Sequence, residues 1–72
     1  MWFEVDFGAT KAGLATVGYR LYKDDGTDTV ARTTTGVVEI AQGGYGVEIS
    51  SVANDAVGIE WDTGEGTPIY AH

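Results

Sequence analysis

Apolar side chains fall on every second position through most of this chain, and clusters of glycine or aspartate interrupt them every few residues. A period of two belongs to strands that bury one face, whereas a helix needs a period of about 3.6. Phe3, Val5 and Phe7 share one face, and Trp2, Glu4 and Asp6 share the other. Val17, Tyr19 and Leu21 form the next apolar row, opposite Gly18, Arg20 and Tyr22. Asp24-Asp25-Gly26-Thr27 reads as a hairpin turn, because an Asp-Gly pair tolerates positive φ. Thr29–Thr33 continues as a threonine-rich strand that Gly36 ends. Val38 and Ile40 are then expected inward with Glu39 outward, and Gly43-Gly44 as a tight turn. Tyr45, Val47 and Ile49 point in, and after a polar turn at Ala53–Ala56 so do Val57, Ile59 and Trp61. A loop over Asp62–Pro68 precedes a short last strand at Ile69–Ala71. Only Ala9–Ala15 has any helical appeal, and the glycines at 8 and 13 make it a loop or a short turn.

About seven short strands at this spacing predict an all-β domain, a small Greek-key β-sandwich, with a small barrel as the alternative. The whole span 1–72 is expected to form one domain. A chain of this size hides only roughly 60% of its unfolded surface on folding, so a lone copy has little stability to spare. Such domains are often rescued by disulfides, metals or partners. This one has no cysteine, which leaves its core alone, or its core with a partner.

The charge narrows the partner. Four Lys and Arg stand against eleven Asp and Glu, for a net charge of -7. Nucleic acid needs a cationic surface, and an anionic membrane repels an acidic one, so neither is expected as a partner. The charge suits solubility and self-repulsion, or docking onto a basic protein surface. No stretch is long and apolar enough for a membrane span, and the alternating, acid-bearing start does not read as a signal peptide. The chain therefore reads as a cytoplasmically made product that is later assembled into something larger.

Catalytic chemistry finds little purchase. The only histidine is His72, at the last position, where a general base is hard to hold. Glu4, Asp6, Glu39, Glu48 and Glu60 alternate with apolar residues and read as solvated strand faces, not as a catalytic carboxylate pair. Asp24, Asp25 and Asp28 lack the spacing of a calcium loop, and a site shared with Asp62 or Glu65 is only a weak option. Gly43-Gly44-Tyr45-Gly46 precedes no helix, so it is not a phosphate cradle. The expectation is no enzyme, no catalytic residue, no metal ligand and no cofactor.

Surface features speak for contact with proteins. Gly46 and Gly58 fall on outward strand positions, where glycine costs stability. They suit a bulge, or a position beneath a partner's backbone or an aromatic ring. Trp2 and Tyr22 point outward by alternation, and Val37 is a further outward apolar candidate. Exposed aromatics of this kind are enriched in protein interfaces. Trp2, Tyr22 and Val37 are therefore the candidate interface residues. Thr29–Thr35 has no proline to block strand pairing, which makes it a candidate open edge. Sugar rings also stack on aromatics, and Trp61-Asp62-Thr63-Gly64 is the one loop start that offers one.

Four segments carry a resemblance to a known group: Ala12-Gly13-Leu14-Ala15-Thr16-Val17-Gly18-Tyr19-Arg20, Gly36-Val37-Val38-Glu39, Gly44-Tyr45-Gly46-Val47 and Ile59-Glu60-Trp61-Asp62-Thr63-Gly64-Glu65. Together they resemble the small β-sandwich modules of tailed-bacteriophage and prophage virion proteins, over most of residues 12–65. The motifs are glycine-and-strand patterns without an active-site signature. The resemblance implies a structural, non-enzymatic accessory of the virion that packs against capsid, connector or tail proteins, and as a second option against copies of itself. It implies assembly in the host bacterial cytoplasm and residence in the virion. The alternative is a β-sandwich module that binds carbohydrate or a host surface.

Overall fold

A computed structural model describes residues 1–72. Seven strands follow in order: β1 (Trp2–Asp6), β2 (Gly18–Tyr22), β3 (Asp28–Thr33), β4 (Val38–Ala41), β5 (Gly44–Glu48), β6 (Gly58–Asp62) and β7 (Tyr70–Ala71). They form a three-stranded sheet of order β1-β5-β4 and a four-stranded sheet of order β3-β2-β6-β7. Every pairing is antiparallel. β1 reaches across the sequence to β5, and β2 to β6, which makes the sandwich a Greek key with two separate sheets and no closed barrel. Ala9–Lys11 forms one 3₁₀ turn in the β1–β2 connection.

The buried core is Val17, Tyr19, Leu21, Tyr45, Val47 and Trp61, the inward rows that alternation predicts. Trp61 and Tyr19 meet with ring centroids 5.6 Å apart, tilted by 53°. Tyr45 also ties down the long β1–β2 connection. Its hydroxyl accepts from the Leu14 N–H at 3.0 Å and donates to the Lys11 carbonyl at 2.6 Å. Such pairing is what a buried phenol needs, because an unmet hydroxyl would cost more than the ring's burial alone suggests. Thr63, fully buried, closes the β6–β7 loop by accepting from the Ile69 N–H at 3.0 Å.

Two turns form as their composition demands. Gly26 takes φ 84° at the β2–β3 hairpin, and the Asp25 carboxylate accepts from the Thr27 N–H at 2.9 Å. That bond holds the Asp25 carboxyl below its ordinary value. At the β4–β5 turn the turn residues are Gln42 and Gly43, the latter at φ 79°. Gly44 already pairs with Ala41 as the first residue of β5.

Three expectations need correction. Val38 and Ile40 face solvent, each 48% exposed, and Val37 packs against the core. The reversal has a local cause. The Thr34–Val37 turn and Gly36 at φ 78° deliver β4 in a register that sets Glu39 opposite Tyr45. There the Glu39 carboxylate accepts from the Gly13 N–H at 3.1 Å and the Gly43 N–H at 3.2 Å. Val57 is also exposed, because β6 begins only at Gly58. Trp61 is 1% exposed, inward as the alternation predicts, so it offers no ring at the start of the β6–β7 loop.

Candidate interaction surface

The outer face of the three-stranded sheet combines an apolar strip with an acidic rim. Glu4 pairs with Gly46 and Val38 pairs with Gly46 from the other side, so Gly46 is the floor between β1 and β4. Trp2 lies diagonally across it. A Cβ on Gly46 would overlap the Trp2 indole, so the missing side chain is what lets the ring lie flat on the sheet. The indole N–H donates to the Glu4 carboxylate at 2.7 Å, which fixes the ring's direction. Trp2 stays 45% exposed beside Val38 and Ile40. Glu4, Asp6 and Glu48 stand on the same side of the sheet, all exposed.

The outer face of the four-stranded sheet is built differently: its polar groups satisfy one another. Arg20 donates to Asp28 at 2.7 Å and to Glu60 at 3.0 Å, and these partners, Asp28 first, raise its pKa above the ordinary arginine value. Glu60 also meets the His72 ring at 2.9 Å. Arg32 makes a two-pronged bond to Asp62, at 2.7 and 3.1 Å, and donates to the Thr16 carbonyl at 2.6 Å. Gly18 and Gly64 leave room for that guanidinium. Tyr22 is enclosed in this network. Its ring covers Gly58, carries the Arg20 guanidinium 4.8 Å from its centroid, and meets His72 edge-on.

Comparison with models of protein families, with characterised proteins and with solved structures finds no match.

The three candidate interface residues therefore have different places. Trp2 is on an open face, Tyr22 is half-buried inside a saturated network, and Val37 is turned inward. Val38 and Ile40 take the outward places that Val37 was expected to share. In Val37-Val38-Glu39-Ile40 alternation favours Val38 and Ile40 inward, and the contacts of Glu39 with Gly13 and Gly43 reverse that choice. The glycines were the better signal. Gly46 and Gly58 each lie under an aromatic ring of their own chain, one of the arrangements their outward positions allow.

Three of the five acids near a candidate cation site are held in ion pairs. Asp28 holds Arg20, Asp62 holds Arg32, and Glu65 holds Lys11 at 2.9 Å. All four Lys and Arg side chains stand in ion pairs, whereas Glu4, Asp6, Asp24, Asp25 and Glu39 have no cation partner. One end of the sandwich holds an apolar cavity of about 250 Å³. Phe3, Leu21 and Ile59 line it from the two sheets, and Val52 and Val57 from the β5–β6 connection.

Proposed function

We propose that this chain is a non-enzymatic assembly module of a phage-like virion, and that it docks through the outer face of its three-stranded sheet onto a basic surface of another virion protein. The observation that carries the reading is the strip of Trp2, Val38 and Ile40, three half-exposed apolar side chains on one sheet face, edged by Glu4, Asp6 and Glu48. An apolar centre with a charged rim is the anatomy of a protein–protein contact. The rim is all acidic, and the chain's cations are spent within the molecule, so the complementary partner carries Lys or Arg around an apolar patch. The virion assignment comes from the resemblance of residues 12–65 to phage sandwich modules.

The sugar-binding alternative has less support, because Trp61 is in the core and the Tyr22 ring lies over Gly58 with the Arg20 guanidinium against it. A photo-crosslinking residue placed at Val38 in the producing cells tests the docking reading, with one at exposed Thr34 as the control. The expected result is a single discrete adduct from position 38, found in virion-sized particles and lost in an Ile40→Asp background. No adduct beyond the control would overturn the docking face. An adduct confined to small complexes would overturn the virion assignment.

A further inference from the structure

Two sheets of this size have four edge strands, and here three of them are blunted. β3 pairs with β2 through two register shifts, β4 is four residues long with a shift between Glu39 and Ala41, and β7 has two residues. Bulged and short edges discourage further pairing. The Thr29–Thr35 edge suggested by the sequence falls in this group. β1 is the exception. It pairs with β5 over five consecutive residues, Trp2 with Glu48 through Asp6 with Gly44, without a shift, and it contains no proline or lysine.

The backbone direction along β1 follows from its ends. Met1 and Ile49 exchange both of their hydrogen bonds, at 2.7 and 2.9 Å, and the Phe7 N–H donates to the Gly43 carbonyl at 2.8 Å. In an antiparallel ladder bonded and non-bonded pairs alternate. Met1, Phe3, Val5 and Phe7 therefore face β5, and the N–H and C=O groups of Trp2, Glu4 and Asp6 face outward. No hydrogen bond outside the ladders uses those outward groups.

The inner row is unfinished on the same side. Phe3, Val5 and Phe7 pack on the core yet stay only half-buried, and Phe3 borders the apolar cavity. The strand order explains the gap. Taken as B, C, C′, D, E, F and G, β1 to β7 reproduce the B-E-D and C′-C-F-G orders of an immunoglobulin-type sandwich. In the full arrangement strand A lies beside B, and no strand of residues 1–72 takes that place beside β1.

We propose that the free edge of β1 accepts an extended segment of a partner protein as an eighth strand. Its inward side chains are apolar, continuing the row of Phe3 and Val5 over the cavity. Its outward side chains are basic, set against Glu4 and Asp6 on the outer face. A second copy is a poor occupant. Two-fold pairing of β1 with itself about Glu4 or Val5 sets Glu4 against Glu4 or against Asp6, and like charges directly opposite destabilise a sheet. This inference rests on the reading of the chain as an assembly module and names how its partner is held.

The test uses the intact chain and a synthetic peptide of about nine residues that alternates lysine with valine and leucine. A scrambled peptide and one N-methylated on alternate residues are the controls. Amide exchange is followed residue by residue. The expected result is binding about tenfold tighter than that of the scrambled peptide, with exchange at Trp2, Glu4 and Asp6 slowed at least about tenfold. The N-methylated peptide should give neither effect. Glu4→Pro removes an edge N–H that the β1–β5 ladder does not use, and should abolish binding in a chain that still folds. Equal binding of the scrambled peptide, protection at β3 or β4 in place of β1, or a self-paired dimer through β1 would overturn the inference. A position-38 adduct without β1 protection removes the strand site alone, and β1 protection without that adduct removes the docking face alone.

Discussion

At the scale of single residues, two glycines carry more structural information than any charged group. Gly46 and Gly58 cost backbone entropy in a strand, and each returns something by letting a ring lie across it. Gly46→Ala should therefore destabilise the fold by about 1–3 kcal/mol, the usual range for overpacking. In Trp2→Ala the same change should cost little, because the overlapping ring is gone. Urea unfolding of the two single variants and the double variant measures the coupling, expected at about 0.5 kcal/mol or more. Additive losses would show that the ring moves aside freely. Asp62 makes a second case. It is 8% exposed, and its side-chain partner is Arg32. Arg32→Ala should cost about 1–2 kcal/mol, the lower part of the range because Arg32 itself is partly exposed. Arg32→Lys should recover only part of this, since one ammonium cannot span both Asp62 oxygens and the Thr16 carbonyl.

At the scale of elements, the connections are held by side chains that reach between them. Tyr45 and Glu39 lace the β1–β2 connection to the three-stranded sheet, and Lys11 ties its 3₁₀ turn to Glu65 in the β6–β7 loop. The Lys11 ammonium, 2.9 Å away, holds the Glu65 carboxyl below its ordinary value of 4.5. The ionised form is thus favoured by folding. Its contribution is complete above pH 4.5 and fades as the pH falls through the lower folded value. Lys11→Met should move the Glu65 titration, followed by carboxyl NMR shifts, back towards 4.5. It should also make the acid side of the stability profile less steep. An unmoved Glu65 would mean that Thr63, not Lys11, is the main cause. The register of β4 belongs to this scale as well. Val37-Val38-Glu39-Ile40 offers an apolar residue to either face, and Glu39's two backbone donors, which sit in other elements, decide between them.

At the scale of the whole molecule, charge dominates. Six of the eleven acids have a cation within ion-pair reach, and Glu4, Asp6, Asp24, Asp25 and Glu39 do not. The surplus is unscreened self-repulsion at low salt. Raising NaCl from about 0.02 M to about 0.3 M, where the screening length falls below about 8 Å, should raise the thermal midpoint by about 2–5 °C. A fall would mean that the internal ion pairs outweigh the surplus.

The sequence by itself determined the class of fold, its strand count and the six buried residues at the centre of its core, because those follow from local alternation and from turn residues that sit next to one another in the chain. Val17, Tyr19, Leu21, Tyr45, Val47 and Trp61 are readable as inward residues for that reason. The acidity of the chain was equally plain. Tertiary structure alone decided that β1 and not β3 keeps a regular free edge, since an edge exists only once strands have chosen neighbours. It also decided that Tyr22 is enclosed while Trp2 stays open. Both alternate outward in the same way, but only Tyr22 has an arginine from its own strand and a histidine from β7's end to close over it.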